Sequence, residues 1–297
     1  MRVLITGGSG FLGQALCRDL LLQGHKVVIH SREPERQKRR QPDLNVEWVA
    51  TLQDIHGDVD AVINLTGANL FTLPWTDKRK ATLWRSRVDH TQALVDWMLQ
   101  RPVRPQVFLS GSAVGIYGDA GDTTLNEQSP AGQDWAAELV QAWERAALQA
   151  ETEGIRTVLL RTGLVLGEGG LLQPLLPLFR LGLGGSLGRG QFWYSWIHLD
   201  DWVAATVALL GTPTAQGPYN LTAPHPVRYA EFAQTLGKTL HRPVWLTPPQ
   251  WALGLLLGQR AQLMLSSTRA LPERLKAEGF HWQHETVAAA LLAIVDA

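Results

Sequence analysis

Glycines at 7, 10 and 13, within 6-TGGSGFLG-13, have the spacing of a backbone anion site. The run 2-RVLIT-6 before them is short, apolar and β-branched, which reads as a buried strand. After them, Leu12, Leu16 and Leu20 fall four apart, a helix stripe closed by Gly24. A dinucleotide pyrophosphate needs backbone N–H groups at close range and a helix N-terminus aimed at it, and side chains would block that approach. Gly7, Gly10 and Gly13 meet that need; the alternative is a tight βα turn with no ligand. At the end of the next strand, 26-KVVIH-30, a carboxylate would bind the ribose 2′-OH of NAD, whereas arginine suits the 2′-phosphate of NADP. Ser31 and Arg32 stand there, which predicts NADP(H). Glu33 reaches the ribose instead if the strand ends one residue later, and Arg32 then becomes a surface charge.

Proton-transfer candidates lie further on. Ser112 ends the strand 105-PQVFLSGS-112, at the sheet edge where open α/β folds place ligands. Nothing near it in the sequence lowers its pKa, and its hydroxyl has a local alternative in nearby backbone. Tyr117 follows five residues later, as a phenolic acid facing the pocket or as a loop anchor. His198, in 196-WIHLDD-201, has the right pKa range for proton transfer, but the same motif reads as a lobe joint with Asp200 or Asp201 capping the next helix. The loop 182-GLGGSLGRGQFWYSW-196 offers Arg189, Gln191, Trp193 and Trp196 as a cation, an amide and stacking surfaces for a nucleotide or sugar phosphate. A scaffold loop with core tryptophans is the other reading.

The elements that position these groups alternate. Strands at 46–50, 60–67 and 155–163 and helices at 78–99 and 134–150 continue the pattern through residue 165. Such alternation calls for parallel βαβ units, hence a Rossmann-type doubly wound sheet of the α/β class. After Gly163 the texture changes. Residues 167–195 are rich in Gly, Leu and Pro, a helix follows at 200–211, a strand at 217–223, and the chain from 224 is Pro-punctuated and mainly helical. The expected division is a dinucleotide-binding domain of residues 1–166 plus about 196–223, and a smaller, mainly helical substrate lobe of 167–195 plus 224–297.

Lys+Arg and Asp+Glu both total 27, so net charge is zero, which argues against broad binding to nucleic acid or anionic membranes. The basic run 36-RQKRR-40 reads as a solvated loop. Cys17 is the only cysteine, so a disulfide framework and a cysteine zinc site are excluded within one chain, and no metal is expected. The opening 1-MRVLITGG carries no charged-then-apolar leader. The apolar segment 251-WALGLLLG-258 is too short to span a bilayer. A cytoplasmic protein is expected.

Taken together, 6-TGGSGFLG-13, 62-VINLTGAN-69, 87-RVDHTQAL-94, 108-FLSGSAVGIYG-118, 160-LRTGLVLG-167, 193-WYSWIHLDDW-202 and 271-LPERLKAEGF-280 resemble the extended short-chain dehydrogenase/reductases. GSAVGIYG, AWERAA and SWIHLDD together are similar, more narrowly, to the YfcH-type nucleoside-diphosphate-sugar epimerase family, an atypical subgroup. The resemblance implies cofactor contacts along Thr6, Gly7, Gly10, Phe11, Leu12 and Gly13, at Ser31 and Arg32, and at Leu65, Thr66 and Gly67. It also implies a serine, here Ser112, on the reacting oxygen. Arg87 replaces the asparagine more usual at its position; its guanidinium would hold a substrate carboxylate or phosphate, or pair with an acidic neighbour. The wider family uses Y-x-x-x-K, whose tyrosine relays a proton while hydride moves at nicotinamide C4. Four residues after Tyr117, Tyr194, Tyr219 and Tyr229 stand Gly121, His198, Ala223 and Ala233, so no such pair exists. Aligning the family's glutamate with Glu144 puts the missing pair at Ala136 and Val140. Two functions remain open. One is an NADP(H)-dependent oxidoreductase or epimerase acting on a nucleotide-linked or other polar carbonyl substrate, with Ser112 and Tyr117 replacing the relay. The other is a non-catalytic NADPH-binding sensor, linked through relatives to cell division. A monomer or a homodimer, through helices 78–99 and 134–150, fits either.

Overall fold

The computed structural model describes residues 1–70, 73–170, 172–246 and 264–296; the apolar segment 251–258 lies outside them. Seven parallel strands form the central sheet: β1 (Arg2–Thr6), β2 (Lys26–His30), β3 (Glu47–Val49), β4 (Ala61–Asn64), β5 (Val107–Ala113), β7 (Arg156–Thr162) and β11 (Gly217–Leu221). Their order is β11-β7-β5-β4-β1-β2-β3. The chain reverses its direction of growth between β1 and β4, which opens a crevice at the strands' C-terminal ends. The doubly wound sheet expected from the alternation is what the chain builds. The short strands β6 (Thr124–Leu125), β8 (Leu164–Leu166), β9 (Trp193–Tyr194) and β10 (Trp196–His198) lie outside this sheet, and the basic run 36–40, read as a loop, ends a helix with no buried residue, α2 (Pro34–Arg40).

Both sheet faces are covered, so the strands are apolar throughout rather than alternating. On one face, α1 (Phe11–Leu22) and α7 (Leu199–Gly211) bury Leu16, Leu20, Trp202 and Leu209 against Ile5, Ile63 and Leu109. On the other, α4 (His90–Leu99) and α5 (Trp135–Thr152) bury Leu94, Met98, Ala147 and Ala150 against Val62, Phe108 and Leu159. The apolar faces of α4 and α5 therefore pack on the sheet. A second core gathers Leu172, Phe179, Tyr194, Trp196, Phe232 and Leu291, from segments after β7 and after β11. It includes α6 (Leu172–Arg180), a helix concealed in the sequence by its Gly- and Pro-rich surroundings and carrying Pro177 inside it. Among the described residues no helix is long and apolar enough to cross a membrane.

Two local features aim the site. The glycine loop is tight: Gly7 has φ +77°, and a Cβ on it would lie 2.7 Å from the Leu65 carbonyl carbon. A Cβ on Gly13 would lie 2.4 Å from the Gly7 oxygen. The second feature lies between α3 (Asp77–Trp84) and α4, where the expected single helix of 78–99 is interrupted by a π-helical turn, Arg85–Asp89. Such turns change the helical phase and gather at functional sites. Here Arg87 is buried, and the His90 ring stacks on His30 at 6.0 Å and 4°. Among the described residues His90 Nε2 is buried without a hydrogen-bond partner. Burial, and then the His30 ring, push the His90 pKa down from 6.5 to about 4.

Gly13→Ala is expected to lower stability by about 1–3 kcal/mol, because overpacking against the Gly7 carbonyl outweighs a gain of roughly 1 kcal/mol in helix propensity. Gly10→Ala, whose Cβ meets only the Gly7 oxygen at 3.3 Å, is expected to cost less stability than Gly13→Ala. His90 binds its proton less readily folded than unfolded. Its contribution is therefore full above pH 6.5 and is lost as pH falls toward 4, by roughly 2–3 kcal/mol. Denaturant titrations between pH 7 and 4 should show a shallower decline for His90→Gln than for the wild type.

Candidate functional site

The C-terminal ends of β1, β2, β4, β5 and β7 open into three pockets that share lining residues. The largest, about 930 Å³, is lined by Gly7, Gly10, Ser31, Arg32, Thr66 and His90 among others. The next, about 220 Å³, shares Leu65, Thr66 and Gly67 with it and adds Leu12, Arg87 and Ser112. The third, about 260 Å³, shares Ser112 and Thr162 with the second and reaches Trp193, Ser266 and Thr268. The run is continuous from the glycine loop, over the ends of β4 and β5, to the second core.

The first pocket suits a dinucleotide. Gly10 caps α1 with no side-chain bond of its own, leaving the helix N-terminus bare toward the cleft. Arg32 is exposed and has no ion-pair partner among the described residues. Glu33 is engaged elsewhere, 2.7 Å from Arg36. Of the two candidates for the ribose, the cation is therefore the free one. Thr6 and Phe11 sit behind this lining: Thr6 is buried and donates to Asn64 Oδ1 at 2.7 Å, and the Phe11 ring packs against Gly167 and Gly169. Sequence reasoning missed Arg85, Ser86 and His90 on the pocket's far wall. The signal was a π turn, which no periodicity announces.

Ser112 is no longer isolated. It is 5% exposed, and its Oγ donates to Glu144 Oε1 at 2.5 Å. Glu144 comes from α5, where the sequence offered it only as a register mark. Arg161, on β7, grips both of its carboxylate oxygens at 2.9 Å. Both side chains are about nine-tenths buried, at 10% and 8% exposure. The carboxylate beside it holds the Arg161 pKa well above the usual guanidinium range against the pull of burial. Arg161 also donates to the Tyr117 hydroxyl and to the Glu127 carbonyl, each at 3.1 Å. Tyr117 in turn donates to Asn220 Oδ1 at 2.8 Å and is 4% exposed. Burial raises its pKa. Tyr117 lines none of the three pockets, so the geometry fits the loop anchor rather than an acid facing the cleft.

Other candidates separate. Trp193 lines the third pocket, held between Arg228 at 4.3 Å and Arg269 at 4.5 Å and donating to Asp122 at 3.0 Å. Arg189 and Gln191 are exposed and lie on none of the three pockets; Gln191 Nε2 donates to the Arg189 carbonyl at 3.2 Å. Trp196 is fully buried in the second core and donates to the His225 carbonyl. His198 is itself the cap of α7, accepting from the Asp200 N–H at 3.2 Å, whereas the sequence reading gave that role to an aspartate. Buried Asp201 accepts from the N–H groups of Gln283 and His284 and so fastens the C-terminal segment to α7. Ala136 and Val140, where the sequence alignment puts the missing pair, line the second pocket and leave it apolar on that side.

The chain resembles known proteins along most of its length. A family model described as the NAD dependent epimerase/dehydratase family matches residues 3–222, and a domain of unknown function matches residues 248–294. An epimerase family protein SDR39U1 homolog, chloroplastic, of Arabidopsis thaliana is 37% identical over 304 residues, covering 99% of this chain and 87% of that one. Epimerase family protein YfhF of Bacillus subtilis is 33% identical, covering 99% and 98%. The crystal structure of human epimerase family protein SDR39U1 with NADPH superposes with a TM-score of 0.90 at 31% identity, covering 100% and 99%. With the family model spanning most of the chain and relatives aligned from end to end, the chain belongs to the NAD dependent epimerase/dehydratase family, in the atypical epimerase branch that its motifs resemble.

Proposed function

We propose that this protein is an NADP(H)-dependent oxidoreductase or epimerase acting on a nucleotide-sugar or another polar carbonyl or alcohol substrate. The observation that carries this reading is the Ser112 hydroxyl, donating to a buried carboxylate at 2.5 Å where the two smaller pockets meet. The bare N-terminus of α1, the glycines with no room for Cβ, the free Arg32 and the orphaned His90 Nε2 all suit an adenine dinucleotide carrying a 2′-phosphate. The human relative's crystallisation with NADPH supports the same choice. In this assignment residues 1–166 with about 196–223 hold the cofactor, and 167–195 with 224–297 hold the substrate, Trp193 offering a stacking surface.

When bound, the cofactor would supply or accept hydride at its nicotinamide C4. The protein's own part is the proton. When the substrate is an alcohol, Ser112 Oγ takes the substrate O–H proton as its own proton passes to Glu144 Oε1. When the substrate is a carbonyl, both transfers run backward from Glu144 in its protonated form, and the new hydroxyl takes its proton from Ser112. Glu144 thus stands in for the missing tyrosine, and Arg161 positions it through both oxygens. Tyr117 holds Arg161 and Asn220 in register. A second reading, a non-catalytic NADPH-binding sensor, is favoured by the apolar wall at Ala136 and Val140. It requires binding without turnover.

Titrations followed by tryptophan fluorescence should give an NADPH affinity at least ~10-fold above that for NADH, with the preference lost in Arg32→Asp. Equal affinities in the wild type would remove the NADP assignment. Ser112→Ala is expected to lower hydride transfer to or from NADP(H) about 10²–10⁴-fold while leaving NADPH affinity within about twofold. Unchanged turnover in that variant would take Ser112 out of the mechanism. Absence of transfer across sugar-nucleotide and simple carbonyl panels, with NADPH bound tightly, would favour the sensor.

A further inference from the structure

The guanidinium of Arg87 is an unbalanced charge inside the protein. The residue is 9% exposed, and no carboxylate lies within ion-pair distance of it among the described residues. Its one protein hydrogen bond among those residues runs from Nη1 to the Ala68 carbonyl at 3.0 Å. A guanidinium carries five donors, and a buried cation is costly unless something opposes it. Burial pulls its pKa down to about 10, with Arg79 adding to the effect, so it is still a cation at neutral pH. The fold nevertheless builds a seat for it. Gly67 leaves room, since a Cβ there would lie 3.0 Å from Cζ and Nη2. The Trp143 ring lies 5.4 Å from Cζ, a cation–π contact, and is itself fixed by an Nε1–H bond to Thr91 at 2.9 Å. The π turn that carries Arg87 is what brings it inward. Among the described residues lining the 220 Å³ pocket, Arg87 is the one charged side chain, and Ser112 lines the same pocket.

We infer that Arg87 is an oxyanion-binding residue, whose fork takes a carboxylate or phosphate oxygen of a ligand seated beside Ser112. Two sources carry such an oxygen: the nicotinamide-side phosphate of the dinucleotide, and an acidic group on the substrate. The inference rests on the cofactor reading only for which of these is bound.

Calorimetry on wild type, Arg87→Met and Arg87→Lys, each checked by melting temperature, separates the sources with three probes. These are NADP⁺; adenosine 2′,5′-bisphosphate, which lacks the nicotinamide half; and oxamate, an inert carboxylate, added to free and to NADP⁺-saturated protein. If the anion is the cofactor's, Arg87→Met weakens NADP⁺ binding about 10- to 100-fold and leaves the bisphosphate unchanged. If it is the substrate's, NADP⁺ binding is unchanged and oxamate binding is lost by a similar factor. Arg87→Lys, which keeps the charge without the fork, loses less in either case and carries the test if the methionine variant does not fold. The inference is overturned if Arg87→Met keeps wild-type affinity for all probes, or loses the bisphosphate equally. Oxamate binding that depends on Arg87 without any nucleotide binding would sink the cofactor reading and leave this one standing. A wild type that binds no probe sinks both.

Discussion

Burying the Glu144–Arg161 pair is the constraint around which the site is organised. Two charges removed from water carry a desolvation cost of several kcal/mol each unless every remaining donor and acceptor is met. Here most of them are met by parts of the chain far apart in sequence. Ser112 donates to the carboxylate from β5, and the guanidinium donates to Tyr117 and to the Glu127 carbonyl. Tyr117 passes the chain on to Asn220 on β11, whose N–H donates to Glu127 Oε1 at 3.0 Å. One ionic centre therefore ties α5, β5, β7 and β11 together, and Ser112 cannot turn away from Glu144 without leaving a buried charge short of a partner.

A second polar chain does the same for the cofactor side. Thr6 donates to Asn64, Asn64 to Thr91, and Trp143 also to Thr91, at 2.7, 2.8 and 2.9 Å. The ends of β1 and β4 are thereby locked to α4 and α5, and the Trp143 ring is presented to Arg87. In a low-dielectric interior such networks specify one arrangement, because a half-made network is costly. The two chains meet in α5, the helix where the family's tyrosine and lysine would stand. Its Glu144 has turned to Ser112, and its Trp143 supports a cation brought from the π turn.

The family's atypical character has a physical form here. In the sequence alignment Ala136 and Val140 fall where the wider family's tyrosine and lysine are expected, and the pocket wall there is apolar. The structure sets a carboxylate-bound hydroxyl and a buried guanidinium around the same pocket, from positions that share no motif. The smaller core adds Trp193 at the far end, braced by Arg228 and Arg269.

The sequence by itself determined the sheet, the glycine loop and the ligand edge. These depend on local rules: apolar strands of fixed length, helix stripes of fixed period, and backbone positions such as Gly7 and Gly13 where a Cβ has no room. It also brought Ser112, Arg32 and Trp193 to notice, since strand ends and loop chemistry can be read residue by residue. Only the tertiary structure decided which side chains meet. The separations of 32 positions from Ser112 to Glu144 and of 103 from Tyr117 to Asn220 carry no spacing signal, because contacts across a crossover depend on packing rather than period. The same holds for the turning of Tyr117 into the core, the outward Arg189 and Gln191, the capping role of His198, and the π turn that buries Arg87. Each depends on which parts of the chain pack together, and those neighbours become visible only when the chain has folded.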